Sequence, residues 1–344
     1  MRKKNLKKIF GATLIVATLS VLPASIVCPQ TARKAYDIEI YGGMAGMTSY
    51  TAAIAMAEMI NENSSWLRAT AIESISLTAN FQLLLHEPER RPHTLIVSMV
   101  SFHWLASRGK EPFTTRYDGL RFIATMGYHM QGFITLDPEI KTLDDFSGRK
   151  VSIGDRSSVT RVEMMKAILR SAGVLDKVKL EYLSLPGGVN ALRDRLIDAT
   201  LGSATLVRPP DRYALPSYLT EITSTRKVYF VSMDGTDIAS MNKLLGPFET
   251  EHTVPAGCMG ETQTEPWVGI GKAMGWAADK SMPDDVVYEI CRIIYENADL
   301  FAGYSPSLAF VNRDTMARWD TPREDIHLGA LKFFTEYGIE PGRF

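Results

Sequence analysis

The sequence predicts an α/β fold, on three observations. From Tyr36 onward short β-type runs alternate with helical stretches, which is how a sheet covered by helices reads along a chain. The 344 residues are 45% hydrophobic with ordinary glycine (25) and proline (17) contents, so the chain can bury a core and divide into two domains, and disorder is excluded. Two strand–loop–helix units, Tyr41–Tyr50 and Ile153–Thr160, share a loop of small residues and a hydroxylated helix start.

Each element follows from its pattern. Asp37–Tyr41 reads as the first strand; it runs into Gly42-Gly43-Met44-Ala45-Gly46-Met47 and a helix from Ser49 to Asn61. Leu67–Ile75 is a strand, Asn80–Leu85 a helical stretch and Thr94–Val100 a buried strand by composition. Leu120–Thr125 and Gly132–Thr135 read as separate strands, followed by a short helix with a Gly148 stop. After strand Val151–Ile153, a helix sets Val162, Met165, Leu169 and Ala172 on one face at spacings of three and four. Helix Val189–Leu196, strand Asp198–Leu201, strand Val228–Ser232 and helix Ile238–Leu245 follow. Pro283–Phe301 is a strong amphipathic helix and His327–Gly338 the last one.

Charge separates the first 35 residues from the body. Seven of the 38 basic residues and no acid lie in 1–35, so the remaining 31 meet 39 acids, a net of −8. An acidic body without a long basic run argues against nucleic acid as partner. Met1–Lys8 is a basic n-region and Ile9–Val27 an uncharged apolar stretch, the layout of a secretory signal, with a retained anchor as the rival. Residues 1–35 are therefore assigned to export and the body to the periplasm, membrane-anchored if the signal is not cleaved. Ile26-Val27 before Cys28 argue against lipidation. Cys291 lies on an apolar helical face and reads as a small buried thiol.

Catalytic signals are thin. The six histidines show no metal-ligand spacing, and there is no H-E-x-x-H, nucleophile elbow or Walker phosphate loop. Gly269-Ile-Gly271 followed by Gly275 imitates a dinucleotide loop with its third glycine misplaced. Asp144-Asp145 and Asp284-Asp285 sit at helix starts, where acids complement the dipole. No cofactor is expected. The two loop–helix units offer a different chemistry: unpartnered N–H groups and a positive dipole end accept a carboxylate or phosphate, with Thr48, Ser49, Ser158 and Thr160 adding hydroxyls. Plain helix capping is the competing reading.

Taken in order, the motifs resemble the TAXI family of solute-binding proteins, receptors of one branch of TRAP transporters, over roughly residues 37–341. Gly46-Met47-Thr48-Ser49-Tyr50 stands where that family has a loop ending GGTYY, and Ile140–Gly154 (IKTLDDFSGRKVSIG) is close to its "iKTiaDLkGKrVsvG". Ser157-Ser158-Val159-Thr160 replaces GSGT, and Leu196-Ile197-Asp198-Ala199 resembles "G.iDA". Val254–Met259, Met282–Ile293 and His327–Ala330 resemble its later motifs "iPAGtY", "lpddlVYeitkal" and "HpGA".

The resemblance implies a two-lobed, periplasmic-binding-protein-like (type II) fold with the ligand cleft between lobes, residues 36–130 plus 263–344 forming one lobe and 131–262 the other. Chain crossings are expected near Gly127–Gly132 and Gly257–Val268. It implies a non-enzymatic receptor that captures a small anionic solute, a dicarboxylate or an amino acid such as glutamate, for the TRAP permease membrane subunits. Ligand-binding residues carried over are Thr48 and Tyr50 from the first motif and Ser158 and Thr160 from the second. Asn80 is added as an amide contact, and Arg156 as a fork onto a carboxylate. Arg161 reads as solvated surface charge, and Arg208 as a lower-ranked group at the cleft edge. Met44, Met47, Ser157 and Val159 replace family glycines, so bulkier cleft loops are expected. The alternatives are an exported hydrolase using Ser158, with only Asp155 nearby as a base, or an orphan receptor feeding a sensor.

Overall fold

In the computed structural model, described for residues 33–208, 211–246, 249–261, 263–319 and 321–342, residues Ala35–Phe344 pack as one unit. The assigned export segment, with Cys28, falls outside the described residues up to position 32.

Tyr36–Tyr41 is β1, and α1 is Thr48–Asn63. The turn between them is tight: a Cβ on Gly42 would lie 2.6 Å from the Tyr50 Cα. β2 (Leu67–Ile72) ends short of Ile75, and α2 (Leu77–His86) starts earlier than its apolar residues suggest because Ser76 caps it, accepting from Ala79 N. β3 (Thr94–Met99) is buried throughout and passes without a loop into α3 (Val100–Ser107), which no sequence pattern announced. The two expected strands at 120–125 and 132–135 are one 16-residue strand, β4 (Leu120–Thr135). It is paired along both edges, and that pairing overrides the glycines inside it.

The Asp144-Asp145 pair lies in a 3-10 turn, Leu143–Phe146, closed by a reciprocal cap between Thr142 and Asp145. The backbone N–H groups of Lys141 and Thr142 hold the Asp145 carboxyl below its usual range. β5 (Lys150–Ser152), α4 (Val159–Ser171), β6 (Lys179–Glu181) and α5 (Leu185–Arg193) follow. β7 (Ala199–Arg208) runs well beyond the expected Leu201. Then come β8 (Arg212–Ala214), α6 (Ser217–Thr225), β9 (Tyr229–Val231), α7 (Gly235–Leu245) and β10 (Thr250–Val254).

The false dinucleotide loop lies inside β11 (Trp267–Asp279). Its glycines are contact points: a Cβ at Gly275 would sit 2.2 Å from the Ala124 carbonyl oxygen, and one at Gly269 2.4 Å from that of Gln131. α8 (Asp284–Glu296) buries Val287, Ile290 and Ile294 and stops before Phe301, which belongs to the short α9 (Phe301–Tyr304). Cys291 is fully buried in α8, and burial pushes its thiol up. In α10 (Leu328–Glu336), His327 is the cap rather than the first turn, its Nδ1 accepting from Gly329 N.

The eleven described strands form one sheet in the order β2-β1-β3-β11-β4-β7-β5-β6, with β10 on β11, β8 on β7 and β9 on β4. β1, β2 and β3 are parallel, as are β5, β6 and β7. The long antiparallel pair β4–β11 joins these two parallel groups. Gly127–Gly132 lies in β4, whereas residues 257–261 form a loop ahead of β11. Helices α1, α2 and α3 pack by the first group, α8 packs on α1 and α10, and α5 packs on β7 while α4 pairs with α7.

Candidate functional site

Six β-to-α connections converge on one cavity of about 460 Å³. Three belong to the first parallel group: the loops entering α1, α2 and α3, represented by Thr48, Ser76 and Ser101. Two belong to the second, those entering α4 and α5, represented by Ser158 and Ser184, and the sixth enters α6 from β8, antiparallel to β7, represented by Ser217. The floor comes from the joining strands, through His129 and Gln131 on β4, Ser203 and Thr205 on β7, and Lys272 on β11. Open α/β sheets place ligands in this way, beyond the carboxyl ends of the strands. The volume suits a small molecule.

The helix ends are left open. The residues before α1, α3, α4 and α6 (Met47, Met99, Ser158 and Pro216) make no side-chain cap. These four residues all line the cavity, so it gathers four positive dipole ends without a side-chain cap. Buried polar atoms are unpartnered there too: Ser101 Oγ, His129 Nδ1 and Gln131 Nε2, with Ser101 and Gln131 only 1% exposed. Groups of this kind cost stability unless something pairs with them.

Arg161, from the first turn of α4, supplies the charge. Its Nη1 donates to Ser158 Oγ at 3.1 Å, and among the described residues no carboxylate lies within ion-pair distance of it. Loss of solvent around the guanidinium pushes it down, partly opposed by Asp155 and Tyr218. Asp155 does not reach Arg161 because its oxygens are occupied: Oδ1 accepts from Ser157 N at 3.0 Å and Oδ2 from Ser158 Oγ at 3.1 Å. Despite its burial, these hydroxyls and the nearby Arg161 hold the Asp155 carboxyl below its usual range.

Lys272 is 6% exposed and stands 3.5 Å from the buried Glu249. His129 is lowered to about 3 by burial and by the positive charges of Lys272 and Arg161, so its imidazole is neutral at physiological pH. Ser158 Oγ donates to the Asp155 carboxylate, which is held below its usual range and is a weak base, and accepts from the Arg161 guanidinium. Among the described residues no group of three or more His, Cys, Asp or Glu side chains is arranged to hold a metal ion.

The sequence-derived residues distribute unevenly. Thr48 and Ser158 line the cavity. Tyr50 is half-buried in α1 and outside the lining. Asn80 is buried beneath the first loop, where its Nδ2 donates to Gly42 O at 2.7 Å and fastens the β1–α1 turn. The two arginines exchange roles. Arg156 is exposed and lies over the Tyr182 ring at 3.9 Å, while Arg161, read as surface charge, enters the cavity. Thr160 falls in the first turn of α4, its side chain outside the described part, and Arg208 ends β7 outside the lining of this cavity. His129, Gln131, Ser101 and Lys272 had no sequence signal, because each stands alone in an apolar strand or helix start.

A family model described as the NMT1-like family matches residues 40–338. The chain belongs to the NMT1-like family. Among solved structures, one described as that of a periplasmic transporter overlays with a TM-score of 0.50 at 12% identity, over 88% of this chain and 94% of that one. A TctC solute binding protein from Polaromonas gives 0.45 at 13% identity, over 80% and 87%. The periplasmic aliphatic sulphonate binding protein SsuA from Escherichia coli gives 0.43 at 12% identity, over 90% and 85%. This NMT1-like chain thus has the mixed α/β, two-lobed fold of periplasmic binding proteins.

Proposed function

We propose that the protein is an extracytoplasmic solute-binding receptor that captures a small anion in the cavity among the six helix starts. The observation that carries this is Arg161: a desolvated guanidinium without an ion-pair partner among the described residues, in a cavity lined by four helix starts that lack a side-chain cap. An anion placed there satisfies the guanidinium, the open N–H groups and the orphaned Gln131 amide together. Thr48 from α1 and Ser158 from α4 reach the ligand from opposite sides. Residues 36–130 plus 263–344 and residues 131–262 act as the lobes, closing about β4 and β11, and Tyr50 and Asn80 support the first loop.

Release is to membrane permease subunits, and the order of family-like motifs supports the TAXI branch of TRAP transporters. Residues 1–35 direct export to the periplasm. The protein performs no chemistry on its ligand: the base that Ser158 meets is the Asp155 carboxylate, held below its usual range and too weak to take up the hydroxyl proton.

Calorimetry with small carboxylates and with their neutral amides tests the reading. Carboxylates bind and amides do not; amides binding as tightly as carboxylates would refute an anion site. Recovery of chemically altered ligand, at a rate tracking protein concentration, would refute the receptor reading.

A further inference from the structure

The polar floor is only part of the cavity. Five methionines line it (Met44, Met47, Met99, Met164 and Met274), with Phe102 beside them. Met44 and Ile75 stand at its edge 46% and 76% exposed, although both are large apolar side chains. Methionine side chains adapt to irregular apolar shapes. A highly hydrated ligand gains nothing from them, whereas an apolar body gains its full transfer energy.

The charges in the cavity narrow the head group. Lys272 is already matched by Glu249 at 3.5 Å, leaving Arg161 as the cation without an ion pair among the described lining residues. A second carboxylate on the ligand would have to compete with Glu249. An ammonium would find only Asp155, the one acid in the described lining, whose oxygens already accept from Ser157 and Ser158. Burying a charge without a partner is costly.

Resting on the anion-receptor reading, we infer that the ligand is a monocarboxylate with an apolar body and no ammonium group. Its carboxylate sits against Arg161 and the helix N-termini, and its body lies along the methionines.

A matched set of six-carbon probes and their shorter analogues tests this by calorimetry on the whole exported body. Affinity rises about fourfold per methylene from butanoate to hexanoate. Hexanedioate and L-norleucine, which add a carboxylate or an ammonium to the same body, bind at least about tenfold more weakly than hexanoate. Hexanedioate or norleucine binding as tightly as hexanoate, or affinity flat along the series, overturns the monocarboxylate assignment and leaves the anion receptor standing. No binding by any of these anions overturns both.

Discussion

Arg161 carries its charge into a cavity whose surroundings penalise it, and that tension has measurable consequences. Replacing it with methionine, of similar length, removes a desolvated cation, so Arg161→Met should stabilise the ligand-free protein by roughly 0.5–2 kcal/mol and raise its melting point, while weakening anion binding at least about tenfold. A fall in melting point would indicate that Arg161 is paired in the free protein. His129 gives a pH signature. Its folded value of about 3 lies below the ordinary 6.5, so between these values the unfolded chain binds a proton that the folded one refuses. Stability is therefore lost as pH falls from about 6.5 towards about 3, and His129→Gln should flatten the melting-temperature profile over pH 4–7. Ser158→Ala removes the acceptor that orients Arg161; it should weaken binding by about 1 kcal/mol, less than loss of Arg161 itself. At this scale the sequence was only half legible. The hydroxyls at helix starts are visible as motifs, but whether Arg156 or Arg161 turns inward depends on Tyr182, over which Arg156 stacks. No linear pattern encodes that choice.

Elements with local periodicity or loop chemistry were readable in advance: β1, β3, α4, α8 and the strand–loop–helix units all stand close to where pattern puts them. The failures share a cause. β11 contains Gly269, Gly271 and Gly275, residues that argue against a strand by propensity, and only contact with β4 shows why they are there. Gly127 and Gly132 likewise make β4 read as two strands by propensity. Tertiary pairing on both edges supplies what propensity lacks. This gives a stability prediction. At Gly275 even a methyl group meets the Ala124 carbonyl at 2.2 Å, so Gly275→Ala should destabilise the fold by about 2–4 kcal/mol. Chemical denaturation that leaves the midpoint unmoved would contradict this close packing of β11 on β4.

Across the whole molecule, one cavity takes its walls from both parallel strand groups and its floor from the strands that join them. On the proposed closure of the lobes, a ligand touching Thr48 on one side and Ser158 with Arg161 on the other gains all its contacts only when the walls approach. It therefore favours the closed arrangement. Small-angle scattering should show a smaller radius of gyration with saturating carboxylate, together with a raised melting temperature by linkage. A bound ligand that leaves the radius unchanged would contradict lobe closure. The most direct test remains the charge at the centre. In calorimetric titration of wild type and Arg161→Gln with the same carboxylate, removing the charge-assisted hydrogen bonds should cost about 1.5–3 kcal/mol, or roughly 10- to 150-fold in affinity, with the far-ultraviolet spectrum unchanged. Equal affinity in the folded variant would contradict an anion held in this cavity.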